Sequence, residues 1–131
     1  MKMSTQEISI INNGLCEQAT ITYDRNKCTL AISFSSGVEK TYTDLDIYRC
    51  FGLLRREFSH IQFLCKGSKI NVYPSAMASQ MSCGVVAYEL TLGESEGELV
   101  RIFDHEENNL TNDIEDQVKF RKRWAASLQN G

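Results

Sequence analysis

The sequence predicts a single α+β domain, residues 1–131, in which a mainly antiparallel sheet of about five to seven strands carries two principal helices. Short stretches rich in Ile, Thr, Tyr and Phe alternate apolar and polar residues between turn residues, which is typical of antiparallel strands. Two longer stretches carry apolar residues at helical spacing. With 131 residues, 42% of them hydrophobic, the chain can bury one core, and no Pro- or Gly-rich linker divides it.

In the first half of the chain a three-stranded meander precedes a helix. The predicted strands are residues 18–23, 28–34 and 38–43. Thr43 is then the expected N-cap of a helix over residues 44–59. Its apolar stripe is formed by Ile47, Phe51, Leu54 and Phe58. Gly52 lies inside this helix at a cost of about 1 kcal/mol relative to Ala, so we expect a close packing contact there.

The second half of the chain predicts further strands and a terminal helix. Strands or extended segments are expected at residues 61–65, 70–73, 85–92 and 99–103, and residues 75–84 are irregular or a short helical turn. Asn112 with Glu115 forms a capping pattern that opens a helix over residues 113–128. On this helix Phe120, Trp124 and Leu128 share one face, which we expect to pack on the core.

Targeting signals and cysteine usage indicate a cytoplasmic protein. The N-terminus lacks the apolar run of a secretory signal, and no window approaches the roughly 18 apolar residues of a membrane span. The five cysteines have no CxxC spacing, and their odd number prevents complete internal pairing. We therefore expect free thiols, mostly buried as small apolar side chains.

Charge is distributed unevenly although the net charge is only −3. Between residues 94 and 116, here called the acidic segment, nine acidic residues accompany one base, Arg101, which gives −8. Bases predominate over residues 49–69 and again over 119–123. A polarised surface of this kind steers charged partners.

Motifs for chemistry are weak. The histidines His60 and His105 are isolated from each other and from the cysteines, so no metal site is predicted, and no phosphate-binding loop is present. Nucleophilic catalysis would need Ser75, Ser79, Ser82 or Cys83 to meet a distant histidine in space. The aromatic residues near the 49–69 bases fall on predicted core positions, which disfavours nucleic-acid binding.

A string in the middle of the chain carries a resemblance. Residues 64–77 read LCKGSKINVYPSAM, followed by Met81, Gly84, AYEL at 87–90, Gly93 and IFD at 102–104. This pattern, spread over about half the chain, resembles small stand-alone bacterial proteins that act as immunity proteins of toxin systems such as contact-dependent growth inhibition. The resemblance implies a cognate toxin domain as partner, often a nuclease.

The resulting functional prediction is a protein–protein inhibitor rather than an enzyme, with no cofactor, metal, nucleic acid or membrane partner. The acidic segment suits the basic substrate cleft of a nuclease. The residues expected to bind the partner are Asp104, Glu106, Glu107, Asp113, Asp116, Tyr73 and Met77. Helix capping alone also accounts for the acids at 113–116. Two alternatives remain, a small enzyme with its site in the 73–83 loop and a structural or regulatory homo-oligomer.

Overall fold

The computed structural model describes residues 3–130, and it confirms the α+β class with antiparallel strands. Eight strands lie within these residues, and they divide between two sheets where the sequence predicts one. The strands are β1 (Met3–Asn12), β2 (Leu15–Asp24), β3 (Thr29–Ser33), β4 (Glu39–Thr43), β5 (Ile61–Phe63), β6 (Val72–Tyr73), β7 (Val86–Glu89) and β8 (Glu98–Arg101). The helices are α1 (Ile47–Glu57), the short α2 (Ala76–Met81) and α3 (Ile114–Ser127), with 3₁₀ turns at Lys66–Ser68 and Leu128–Asn130.

The larger sheet has the order β4-β3-β2-β1-β5, and its neighbouring strands are antiparallel. Strand β1 is absent from the prediction, which places its first strand at residues 18–23 and assigns no turn to Asn13-Gly14. Both residues have positive φ (52° and 79°), the conformation of a two-residue hairpin turn that matches strand twist. The turn therefore joins β1 to β2, and β2 begins at Leu15 rather than residue 18.

The core lies between this sheet and α1. Alternate residues of β1, β2 and β3 point inward and are buried: Ile8, Ile10, Ala19, Ile21, Leu30 and Ile32. The predicted helical stripe meets them, since Ile47, Phe51 and Leu54 are fully buried. Burial of each large apolar side chain contributes about 1.5 to 3 kcal/mol. The N-cap is Asp46, which accepts from the Arg49 N–H at 2.8 Å, because Thr43 still belongs to β4.

Helix α3 packs on α1 through the contact expected at Gly52. A Cβ added there would lie 3.0 Å from Ile114 Cδ1. The prediction that Phe120, Trp124 and Leu128 pack on the core is wrong, however. These three side chains are only half-buried, and Gln117 is the buried residue of α3. The N-cap of α3 is Asp113 rather than Asn112, whose side-chain amide instead donates to the backbone carbonyls of residues 59 and 61.

The smaller sheet, β6-β7-β8, lies beside α2 and the second half of α3. Its inner face joins the same core, where Val72 and Ala87 are fully buried. The five cysteines are free; Cys50, Cys65 and Cys83 are buried, Cys28 is partly buried and Cys16 is exposed. Among residues 3–130 no helix is long and apolar enough to cross a membrane.

Candidate functional site

A groove of about 660 Å³ lies between the smaller sheet, α2 and α3. Its chemistry is mainly aromatic and apolar, and its principal side chains are Tyr73, Met77, Tyr88, Leu90, Arg121 and Trp124. We call it the aromatic groove. It brings together the two apolar residues predicted to contact a partner, Tyr73 and Met77.

Strand register aligns the side chains of the groove. Tyr73 of β6 is paired with Tyr88 of β7, and Tyr88 is paired with Leu99 of β8. Directly opposed residues in antiparallel strands place their side chains on the same face. The row Tyr73–Tyr88–Leu99 therefore lies on the outer face of the sheet, opposite the buried Val72 and Ala87. Leu99 is 61% exposed, so the row continues to the open edge strand.

Aromatic and cationic contacts fix the Tyr73 ring. It meets the buried Tyr48 ring edge-on, with centroids 5.5 Å apart, and the Arg121 guanidinium lies 5.8 Å above it. Arg49 Nη2 donates to the Tyr73 hydroxyl at 3.5 Å. Pro74 follows and holds Tyr73 in the extended region. These contacts restrict the motion of the Tyr73 ring, and a side chain restricted in this way loses less entropy if it takes part in binding.

Trp124 and the β7–β8 turn form another wall of the groove. The Trp124 indole Nε1–H donates to the Glu94 backbone carbonyl at 2.8 Å, and the Gly93 N–H donates to Ser127 Oγ at 2.8 Å. Gly97 is required here, because a Cβ would lie 2.9 Å from Tyr88 Cβ. The end of α3 thereby anchors the turn.

This turn supplies two exposed carboxylates, Glu94 and Glu96, and the first residue of β8, Glu98, supplies a third; together we call them the acidic rim. Glu98 is paired with Glu89, so its side chain leaves the sheet on the face opposite to Leu99. Glu96 lines the groove directly. None of the three forms an ion pair with any residue in the described part of the chain. They belong to the acidic segment but not to the acids that the sequence singled out.

The groove has the composition of a protein-binding surface. Aromatic residues, Met and Arg are enriched in the centres of interfaces, whereas charged residues lie at the rim. Met77 is 68% exposed and Met81 is 79% exposed, so α2 presents two flexible apolar side chains to solvent. Exposed apolar groups grouped in this way mark an interaction site.

The predicted acids do not form one surface with the groove. Asp104 and Glu107 are exposed on the loop after β8, where Glu107 lies 2.7 Å from His105 Nε2. Asp113 caps α3, and Asp116 accepts from Thr111 Oγ1 at 2.7 Å. The α3 cap is about 16 Å along the helix from Trp124, at about 1.5 Å per residue.

Unlike its neighbours Asp104 and Glu107, Glu106 is not an exposed charge on this loop. Its side chain is buried and accepts from Lys66 Nζ at 3.0 Å, with Lys69 Nζ at 3.1 Å. Burial alone would raise the pKa of this carboxyl, but hydrogen bonds from the Asn108 N–H and the two ammonium groups lower it to about 2. Glu106 therefore holds its loop against the 3₁₀ turn at Lys66–Ser68.

The serines and Cys83 of the 73–83 loop have structural partners. Ser75 Oγ caps α2, Ser82 Oγ donates to the Ala78 carbonyl, and Ser79 Oγ donates to Asp46. Burial raises the pKa of the Cys83 thiol to about 12, which makes the nucleophilic thiolate scarce. Among the described residues no histidine lines the aromatic groove.

Tyr88, Leu99 and Trp124 carry no sequence signal that identifies them as residues of the groove. Alternation in β7 and β8 indicates which residues share a face, but the face turned to solvent depends on the position of α3.

The chain matches no protein-family model, and no curated protein sequence is significantly similar to it.

Proposed function

We propose that this chain is an immunity protein that binds and neutralises a cognate bacterial toxin domain through the aromatic groove and its acidic rim. The observation that carries the proposal is the row Tyr73–Tyr88–Leu99, half-buried at its two tyrosines and exposed at Leu99, beside a turn that carries the exposed Glu94 and Glu96. The resemblance of residues 64–77 to immunity proteins supplies the class of partner.

The charge of the rim favours a basic partner. Glu94, Glu96 and Glu98 are close together in the chain, in the β7–β8 turn and at the start of β8, so their charges add at short range and attract a positively charged surface. A toxin that acts on nucleic acid has such a surface, because its substrate is a polyanion. The same three charges repel phosphates, which favours a protein over a nucleic acid as the bound molecule.

The two parts of the site have different energetic roles. Rim charges accelerate encounter and contribute little to the lifetime of the complex. Buried aromatic anchors supply most of the affinity, because they exclude water from the centre of the interface. In this proposal Tyr73, Met77 and Trp124 are the anchors, and the bound chain covers the substrate cleft of the toxin.

The acidic residues predicted from the sequence contribute less to the proposed interface than the groove and its rim. Asp104 and Glu107 are exposed and extend the negative surface beyond the groove. Glu106, Asp113 and Asp116 already hold internal contacts, so their contribution to binding is smaller.

A growth-protection assay tests the proposal. The proposal expects a toxin gene beside the gene for this chain, and the toxin domain found there is induced in cells that also produce this chain while growth is followed. We expect wild-type chain to restore growth and the variant Glu94→Lys/Glu96→Lys to lose most of that protection. The matched control is Glu7→Lys/Glu39→Lys, which makes the same charge change at two exposed positions away from the groove.

The outcomes distinguish an error in the proposed function from an error in the proposed binding surface. If no toxin domain is encoded beside the gene, or if wild-type chain gives no protection against the one found there, the immunity function is wrong. If wild type and the rim variant protect equally while both are folded, the interface lies elsewhere, and Asp104→Lys/Glu107→Lys is the next variant to examine.

A further inference from the structure

Two cysteines that are far apart in sequence face each other in the fold. The Sγ atoms of Cys28 and Cys83 are 2.7 Å apart, although the residues are separated by 55 positions. This distance is shorter than the roughly 3.5 Å at which even carbon atoms pack without bonding. It exceeds the roughly 2.05 Å of a disulfide by less than 1 Å.

The backbone holds both cysteines in an unusual conformation. Cys28 has φ 52° and Cys83 has φ 55°, in the left-handed region that is unfavourable for residues other than glycine. Such strain persists only where the surrounding structure imposes it, and it is concentrated at functional positions. Here it aims both thiols into the same space.

Contacts to the start of α1 impose that geometry. The Cys28 carbonyl accepts from the Cys50 thiol at 3.2 Å, and the Cys83 carbonyl accepts from the Ile47 N–H at 2.7 Å. Gly84, with φ +77°, fits only without a side chain, because a Cβ would lie 2.9 Å from Asp46 Cγ. The two sulfur atoms are thus brought together by the folded, reduced protein.

We propose that Cys28 and Cys83 form a reversible disulfide, a modification site that joins the β2–β3 turn to the segment between α2 and β7. The oxidant is a low-molecular-weight disulfide such as oxidised glutathione. The Cys28 thiolate attacks one sulfur of that disulfide, forms a mixed disulfide and releases one glutathione thiolate. Cys83 then loses its proton to solvent, attacks the Cys28 sulfur and releases the second glutathione. Two protein thiols and one small disulfide give one protein disulfide and two small thiols.

Accessibility sets the order of the two steps. Cys28 is partly exposed, whereas Cys83 is only 8% exposed. Burial raises the pKa of Cys83, so its thiol reacts slowly with solutes but is held beside the mixed disulfide once that forms. Proximity of this kind replaces a bimolecular step by an intramolecular one.

The cross-link changes the stability of the domain. It closes a loop of 55 positions and connects the two sheets through their turns. Restricting the unfolded chain over a loop of this length raises Tm by about 10 °C. The segment that carries Met77 ends next to Cys83, so oxidation also restrains one wall of the aromatic groove.

The test uses purified reduced protein in glutathione buffers of increasing oxidised fraction. After alkylation of free thiols, peptide mass mapping identifies which cysteines are linked, and Tm is measured on the same samples. We expect loss of two hydrogen atoms, a linked pair of peptides containing Cys28 and Cys83, and a Tm rise of about 10 °C that dithiothreitol reverses.

Single variants provide the matched comparison. Cys28→Ser should abolish the link and the Tm rise, whereas Cys16→Ser, at an exposed cysteine, should leave both unchanged. Mapping the wild-type protein needs no variant, so the proposal stays testable if Cys28→Ser fails to fold. Glutathione adducts without a Cys28–Cys83 link, or a link from Cys28 to Cys50, would overturn it.

Discussion

At the residue scale, the buried Arg55 has no carboxylate partner among residues 3–130. Its Nη1 donates to the Thr111 carbonyl at 2.6 Å and its Nη2 donates to Gln117 Oε1 at 2.9 Å. The guanidinium also lies 4.8 Å from the Phe51 ring centroid. Burial lowers the pKa of Arg55 to about 10, which still leaves it charged at neutral pH. Neutral oxygens and a ring therefore take the place of an ion pair and connect α1 to α3.

Gln117 is the residue on which this arrangement depends. Its amide also donates to the carbonyls of Gly67 and Lys69, at 2.8 and 2.9 Å. We expect Gln117→Ala to lower the free energy of unfolding by about 2 to 4 kcal/mol, because it leaves buried polar groups and part of a charge without partners. Urea denaturation measures the change, with the exposed Gln129→Ala as control. A loss below about 1 kcal/mol would show that water or a shifted side chain replaces these bonds.

Glu106 gives the domain an acid-sensitive contact. Its folded pKa of about 2 lies below the ordinary value of 4.5, so its stabilisation is present above pH 4.5 and is lost as pH falls toward 2. We expect Glu106→Gln to lower stability at neutral pH by about 1 to 3 kcal/mol and to flatten the dependence of stability on pH below 4.5.

Denaturation at a series of pH values tests this expectation for Glu106. The control is Glu107→Gln, at an exposed neighbour that pairs only with His105. Equal acid sensitivity of Glu106→Gln and wild type would mean that other carboxylates control acid unfolding.

At the scale of elements, the contact between α1 and α3 depends on Gly52. A larger side chain would collide with Ile114, whose Cδ1 already lies 3.0 Å from the position of an added Cβ. We expect Gly52→Leu to destabilise the domain by about 1 to 3 kcal/mol, despite the better helix propensity of Leu. Thermal melting of Gly52→Leu and of Gly52→Leu/Ile114→Ala measures the coupling. If removing the Ile114 side chain recovers no stability, the two helices do not meet at this point.

Apolar periodicity predicts α1 well and α3 only in part. The α1 stripe of Ile47, Phe51 and Leu54 is buried as expected, because an apolar face packs on a sheet. In α3 the buried position is Gln117, which an apolar pattern does not identify because its burial depends on Arg55 and on two distant carbonyls.

Hairpin β1–β2 is absent from the prediction for a different reason. Its Asn13-Gly14 turn is a strong local signal, but the first half of β1 is polar and only Ile8 and Ile10 of this strand are buried, so the apolar alternation typical of a strand is short.

The position of Trp124 changes its expected role. The sequence-based prediction of a core residue implies a loss of about 3 to 5 kcal/mol on truncation to Ala. Because the side chain is half-buried on the groove wall, we expect a loss of about 1 to 2 kcal/mol. Thermal or urea denaturation distinguishes the two values. A loss above about 3 kcal/mol would place Trp124 energetically in the core.

At the scale of the whole molecule, the aromatic groove arises from parts that are distant in sequence. It combines β6, β7, α2, the β7–β8 turn and the second half of α3. Tyr73 and Met77 can be proposed from the sequence because an aromatic ring and nearby methionines can supply an adaptable apolar contact. Only the tertiary structure shows that these two residues lie beside Trp124 and the acidic rim. The acidic segment is visible in the sequence as a run of acidic residues. The ion pairs of Glu106 with Lys66 and Lys69 are not, because the lysines lie far from Glu106 in the chain.

The decisive measurement is the association and dissociation kinetics of this chain with the toxin domain that the growth-protection assay identifies as its partner, across a range of salt concentrations. We predict that Glu94→Lys/Glu96→Lys slows association by about tenfold at low salt and weakens its salt dependence, with little change in dissociation. Trp124→Ala should instead raise the dissociation rate by about tenfold or more, with a nearly unchanged association rate. Wild-type association and dissociation rates in both folded variants would contradict the claim that the aromatic groove and its acidic rim bind the partner.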